Sequence, residues 1–261
     1  MESPAAATLA SIYRYPVKGL TPEPLQDVEL RSGQTLPADR AYAIENGPSG
    51  FDPAAPVWKA KTHYLMLMRN ERLAALRTHY DDETRILSIR RDDTELARGD
   101  LGTADGRAAI EAFFAAAFDT ELRGPPKLLV GEGYSFSDVA MKVVSIINLG
   151  SVAALEKVVG RSVHPLRFRA NLYVEGWPAW HELDLVGQTL KIGDARLKVV
   201  KRTVRCAATN VDPGSAKRDM SIPETLQRTL GHADCGVYAE VVQAGRIAQN
   251  DAVEIEQPKL L

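Results

Sequence analysis

A mainly β fold of the α+β class, with about three helices, is predicted by three observations. Short runs rich in β-branched and aromatic residues recur along the chain, separated by Gly, Pro and Asp turn signals. Three segments carry apolar residues at helical spacing. No internal repeat or low-complexity linker interrupts the pattern. Many short strands with few helices point to a barrel or a sandwich.

Along the N-terminal half, Ala10 to Tyr15 alternates and stops at Pro16, so it reads as a strand. Leu25 to Leu30 and Arg40 to Glu45 are further strands. Arg72 to His79 and Arg85 to Arg90 flank Asp81-Asp82-Glu83, the pattern of a hairpin turn. A helix is predicted over 105–118 from the stripe Ile110, Phe113, Phe114, Ala117 and Phe118. A second over 150–159 carries Val152, Leu155, Val158 and Val159 and closes at Gly160. The third opens on Ser221 and Glu224, the spacing of a capping box, and closes at Gly231. The other C-terminal runs read as strands: 141–147, 167–174, 189–192, 196–204, 236–242 and 252–256. Gly193-Asp194 and Ala244-Gly245 read as hairpin-like turns.

The 261 residues suit one large domain or two modest ones. Gly124-Pro125-Pro126 is the best boundary, giving domains over 1–124 and 125–261. A net charge of −2 argues against a nucleic acid partner, although 32 lysines and arginines leave room for a local basic pocket. Two cysteines, Cys206 and Cys235, are too few for a disulfide framework or a four-cysteine iron–sulfur cluster. Redox chemistry here would therefore draw its electrons from another protein. Met1-Glu2-Ser3-Pro4 lacks the features of a signal peptide. The apolar stretch 108–118 is interrupted by Glu111 and too short for a membrane span. A cytoplasmic location is expected.

Cys206 is the first candidate for chemistry. It follows a basic strand containing Lys198, Lys201, Arg202 and Arg205, and cationic neighbours favour a thiolate, the nucleophile and soft metal ligand. Arg205 and Cys206 would face opposite sides of a regular strand. For both to line one site, the chain must leave strand geometry, which the turn sequence Asn210 to Gly214 permits. The commoner role of a free cysteine is that of a buried apolar filler. Arg167, Arg169 and Asn171, at spacing two, would share one strand face and suit phosphate, against the blander reading of a solvated face. Lys18 beside Gly19 is a plausible phosphate contact, and Asp39-Arg40 reads by default as a surface ion pair. His232 and Cys235, with Cys206 and His181, form a weak zinc alternative without a second paired motif. P-loop, dinucleotide and nucleophile-elbow motifs are absent from the sequence.

Taken in order, Tyr15-Pro16-Val17-Lys18-Gly19, Asp39-Arg40, Arg167 to Leu172, Arg205-Cys206 and Val211-Asp212-Pro213-Gly214 resemble the MOSC-domain proteins that carry an N-terminal MOSC β-barrel domain. That group includes the mitochondrial amidoxime reducing component. The ending Gly245 to Asp251 resembles the family's closing hairpin, and the likeness spans about residues 9 to 256. It implies a MOSC β-barrel domain plus a smaller N-terminal β-barrel-like domain.

The resemblance also implies a molybdenum cofactor, molybdenum with a pyranopterin (molybdopterin), whose metal is ligated by Cys206. By the same likeness Lys18, Arg40, Arg169 and Arg205 hold the cofactor, Asn171 contacts the pterin, and Asn148 and Ser151 form a further cofactor-contacting segment. The chain departs from the pattern at Gly19, where many members have Ser. After Phe51 the usual Thr-Gln-Arg is missing, and Lys59 or Lys61 is the candidate substitute; Cys235 stands before Gly236 where a larger apolar residue is common. The implied activity is an oxidoreductase that removes oxygen from small N-hydroxylated substrates using electrons from a separate donor protein. Two alternatives stand beside it: a sulfur carrier with a Cys206 persulfide, and a non-catalytic module binding the cofactor or a phosphorylated ligand such as pyridoxal phosphate.

Overall fold

The computed structural model describes residues 7–256, so the Met1–Pro4 reading lies outside it. In chain order the N-terminal half contains β1 (Ala7–Arg14), β2 (Glu23–Leu25), β3 (Asp27–Leu30), β4 (Tyr42–Glu45), β5 (Arg77–Tyr80), β6 (Ile86–Arg91), β7 (Thr94–Asp100), α1 (Ala104–Ala117) and β8 (Lys127–Val130). There follow β9 (Val144–Asn148), α2 (Leu149–Val159), β10 (Leu172–Glu175), β11 (Thr189–Ile192), β12 (Ala195–Val204), α3 (Ile222–Leu230), β13 (Asp234–Gln243), β14 (Gly245–Ala248) and β15 (Ala252–Glu256). The fold is mainly β with three α-helices, as the strand-rich sequence predicts. Among the described residues no helix is long and apolar enough to cross a membrane.

Seven strands close into a barrel in the order β10-β9-β13-β12-β11-β15-β1, and β1 pairs back onto β10. The β9–β10 pair is parallel and the rest are antiparallel. Closure removes the exposed sheet edges that invite aggregation. Alternation decides which side chains fill the interior: Leu190 and Ile192 of β11, with Leu197 and Val199 of β12, are fully buried and join Leu9 and Ile12 of β1 in one core. The first strand of the chain thus lies in the wall built mostly from the C-terminal half.

A second core covers the N-terminal half. The stripe predicted on α1 buries Ile110 and Phe114 against Leu87 and Ile89 of the three-stranded sheet β5-β6-β7. Thr103 caps α1 by accepting from the Gly106 amide. Val211, from the far side of the molecule in sequence, joins this core. A third core packs α2 and α3 around Phe168, Tyr173 and Cys235.

Several expectations are corrected. The run 167–174 is a strand only from Leu172; Pro165–Phe168 is a 3-10 helix and Arg169 is left-handed. The run from Arg72 begins as a 3-10 helix, Glu71–Ala75, before β5, and 25–30 divides into β2 and β3. Ser221 precedes α3 but makes no side-chain cap; Asn210 Oδ1 accepts from the Ile222 amide at 2.8 Å in its place. Ala244-Gly245 is not a β13–β14 hairpin, because β14 pairs with β3. Sequence pattern gives no sign of β7 and β8. The first is mostly exposed and lacks alternation, and the second is four residues behind a Pro-Pro pair.

Candidate functional site

Segments far apart in sequence converge on a cleft of about 230 Å3, among them the turn after β1, the turn at 39–40, Lys61, the loop 137–139, the stretch 167–171 and the stretch 201–209. Strand β12 shapes its wall. Its pairing with β13 shifts register between Val199 and Lys201, and again between Arg202 and Val204. Such bulges re-aim side chains. Here Lys201, which the alternation of Leu197 and Val199 would turn inward, is exposed and borders the cleft beside Arg202.

The strand ends at Val204, and Cys206 then caps a 3-10 helix, Ala207–Asn210. This departure from strand geometry places Arg205 and Cys206 on one cleft. The Cys206 carbonyl accepts from the Thr209 hydroxyl at 2.9 Å and amide at 3.1 Å, which fixes the turn. The half-buried Sγ lies 3.3 Å from Lys61 Nζ.

Cations line the rest. Arg40 donates to Asp39 and to the Arg169 carbonyl. Arg169 donates to the Leu20 carbonyl at 2.8 Å. Both guanidinium groups sit over the buried Tyr15 ring, at 4.6 and 4.3 Å from its centroid. Both residues are held at positive φ, 53° and 51°, a conformation that costs free energy for a non-glycine residue and persists only where its surroundings impose it. Arg205 donates from Nε to the Cys235 carbonyl and from Nη1 to the Phe168 carbonyl, while its buried Nη2 has no protein partner.

Asp138 ties two of the cations together. It accepts from Lys18 Nζ and, at 3.2 Å, from Lys61 Nζ. Lys18 is 5 % exposed, and burial draws its ammonium below the ordinary lysine range despite Asp138. Burial would raise the Asp138 carboxyl, but the Lys18 and Lys61 ammonium groups outweigh it and hold it well below the usual carboxylate range. As pH falls, the unfolded chain therefore takes up this proton first. The stabilisation is fully present above the unfolded pKa near 4 and is lost as pH falls through the depressed native value. Asp138 sits among protein atoms yet keeps 43 % of its side chain open to the cleft, so water screens the pair and about 1 kcal/mol is expected. Thermal unfolding from pH 7 to pH 3 should show Asp138→Asn losing less stability than wild type; equal acid sensitivity would sink the assignment.

Among the residues singled out from sequence, Lys18, Arg40, Arg169, Asn171, Arg205 and Cys206 line this cleft together. Asn171 is buried, and its amide is engaged by Ser145 and the Tyr13 carbonyl, so it ties β1 to the β9–β10 pair as well as facing the cleft. Asn148 and Ser151 are not brought there. Both are fully buried around Glu182, which accepts from Asn148 Nδ2 at 3.0 Å and Ser151 Oγ at 2.7 Å. Arg167 points to Asp212 and Asp219, at 2.8 Å each. The zinc alternative finds no support: no group of three or more His, Cys, Asp or Glu is placed for a metal among the described residues. Cys235 is buried in the third core, which pushes its thiol up to about 12. Sequence pattern gives no sign that Asp138 and Tyr238 line the cleft, and it offers Lys61 only beside Lys59.

Two family models agree with this architecture. The family model for the MOSC domain matches residues 131–254, and that for the MOSC N-terminal beta barrel domain matches residues 6–121. Among solved structures, YuaD from Bacillus subtilis is 11% identical with a TM-score of 0.45, covering 97% of this chain and 97% of that one. YiiM from Geobacillus stearothermophilus is 18% identical with a TM-score of 0.36, covering 44% of this chain and 54% of that one. YiiM from Escherichia coli is 18% identical with a TM-score of 0.34 over the same shares. The matched region thus spans about half the length of the YiiM chains. No curated protein matches the sequence.

Proposed function

Because the chain belongs to the MOSC family and carries both the MOSC domain and its N-terminal beta barrel domain, we propose that it is a molybdenum-cofactor oxidoreductase acting on N-hydroxylated compounds. The observation that carries this reading is Cys206: one accessible sulfur beside Lys61, in a cleft walled by guanidinium and ammonium groups. Amidoximes, hydroxamic acids and N-hydroxylated bases are the substrate class. The electrons come from a separate protein, and the setting is cytoplasmic. The division at Gly124-Pro125-Pro126 separates the two functional halves, both of which contribute to the cleft.

The donor set fits such a group. A soft thiolate suits molybdenum in sulfur-rich coordination. The pyranopterin phosphate calls for cations, and Arg205 offers a buried Nη2 without a protein partner. Cys206 would supply the protein sulfur, and Lys18, Arg40, Arg169 and Arg205 would hold the anionic part. When bound, the cofactor supplies two-electron removal of an oxygen atom from the N–OH group. The chain's own residues do the rest. Lys61 donates to the sulfur, and Asp138 holds Lys61 in reach of it. Tyr15 carries the two left-handed arginines on its face, so their geometry is set before any ligand arrives.

The test is reduction of benzamidoxime with reduced methyl viologen as artificial donor, by protein from cells grown with molybdate or with tungstate. Turnover in the molybdate sample alone is expected. Turnover independent of molybdenum would overturn the reading. Metal-free protein carrying a cyanide-labile sulfur on Cys206 would replace it with a persulfide carrier, since Lys61 would stabilise that anion equally well.

A further inference from the structure

Val57, Trp58, Met141 and Val204 are large apolar side chains left open to water, and all stand on segments that flank the Cys206 cleft. Val204, 67 % exposed, is two residues before Cys206 and borders the cleft itself. Met141 lies between Val139 and Val143, which also border it. Trp58 donates from Nε1 to the carbonyl of Ser137, another bordering residue, at 3.4 Å. Val57, 64 % exposed, precedes it. Scattered singly, such side chains need no explanation; grouped around one opening, they mark a surface that meets a partner.

The unpaired charges on the same rim have one sign. Lys59 follows Trp58, Lys142 follows Met141, and Lys201 borders the cleft three residues before Val204. Lys142 donates to the Gln34 side chain at 2.6 Å, and Lys59, Lys142 and Lys201 make no ion pair among the described residues. The acids nearby are already engaged. Asp138 accepts from Lys18 and Lys61, and Asp184 lies 3.5 Å from Arg202. Asp234, opposite Val204 in register, is mostly buried beside His232. Apolar anchors give a docking surface its grip, and a ring of one charge selects and steers a partner of the opposite charge.

Among acidic proteins the chemistry selects a redox carrier. Two cysteines are too few for a four-cysteine cluster in this chain, and the rim adjoins the sulfur assigned to the metal. Electron-transfer encounters are also among the smallest protein interfaces, which suits a patch of a few side chains. We propose that the rim of Val57, Trp58, Met141 and Val204 is the docking surface for an acidic one-electron carrier protein. The inference rests on the reductase reading and adds to it the place where electrons enter and the charge of the protein that brings them. Each turnover consumes two reduced carriers, each oxidised by one electron. Two protons come from solvent, the N–O bond of the substrate breaks, and its oxygen leaves as water.

The experiment follows benzamidoxime reduction by the full chain with reduced flavodoxin, an acidic one-electron carrier, and with reduced methyl viologen, a small cation that needs no docking surface. For wild type, kcat/KM for flavodoxin is expected to fall about tenfold from low to physiological salt, while the methyl viologen rate changes by about twofold or less. Val57→Glu and Met141→Glu each place an acid on the rim from a different segment, and neither residue borders the cleft. Each is expected to lower kcat/KM for flavodoxin about tenfold at low salt and to leave the methyl viologen rate within about twofold. Val158→Glu, on the exposed side of α2, is the control and is expected to match wild type with both donors. Rim variants that fold as wild type and keep its flavodoxin kinetics overturn the proposal. So does a wild type that turns over with methyl viologen but with neither reduced flavodoxin nor reduced plant-type ferredoxin. Calorimetric titration with oxidised flavodoxin separates the two claims. Flavodoxin binding that both rim variants weaken, with no turnover from methyl viologen, keeps the surface and removes the reductase. Turnover with methyl viologen and no carrier binding keeps the reductase and removes the surface.

Discussion

Gly236→Ala is expected to cost about 3 kcal/mol of unfolding free energy and to disable the cleft with it. Gly236 lies in β13 at φ 80°, in the left-handed region that favours glycine. A Cβ would sit 2.5 Å from the Ile146 carbonyl oxygen of β9 and 2.7 Å from Arg205 Nη2. The first obstacle is backbone in a closed barrel wall, so it cannot be relieved by turning a side chain. The second is the unpartnered guanidinium nitrogen assigned to the anion. Urea unfolding should show the lowered midpoint. Binding of inorganic phosphate to whatever folded fraction remains should fall further than stability alone explains. A variant as stable as wild type, with phosphate binding intact, would show that Arg205 has room to move.

Arg167→Ala should be comparably severe, again about 3 kcal/mol, but through a different mechanism. The Arg167 side chain is 2 % exposed and bridges Asp212 and Asp219, which are 26 % and 30 % exposed. It also donates to the Asn210 carbonyl at 3.2 Å. Removing the guanidinium leaves two partly buried carboxylates facing each other across the segment that follows Cys206. The cost falls at the lower end for a broken buried pair because water still reaches both carboxylates. Arg167→Lys should recover little, since one ammonium cannot reproduce the fork that reaches both acids and a carbonyl. Hydrogen exchange should localise the loosening to 207–219. Protection there equal to wild type would mean that the turn holds without Arg167.

The contrast between Arg167 and Arg169 shows how far the sequence could be read. Alternate spacing made them strand neighbours on one face. Instead, acids more than forty residues away draw Arg167 into a 3-10 turn, and Arg169 is forced left-handed over Tyr15. Local pattern carries no information about such distant partners. For the same reason Asn148 and Ser151, sensibly placed at a helix start, are taken up by Glu182, which lies beyond the next strand. Asp138 was invisible because a lone acid in a loop has no periodicity; only the fold sets it between Lys18 and Lys61. What could be read was whatever rests on local chemistry. The helix stripes, the β-branched runs of β11 and β12, and the basic strand running into Cys206 were all of this kind. So was the need for the chain to leave strand geometry between Arg205 and Cys206, which the short helix at 207–210 meets.

The central claim is that Cys206 anchors the cofactor's metal. Molybdenum content measured by mass spectrometry, in wild type and Cys206→Ala purified from cells making the cofactor, tests it most directly. Near-stoichiometric metal in wild type is predicted, with a loss of about tenfold or more in the folded variant. Retention of wild-type molybdenum and activity by Cys206→Ala would contradict it.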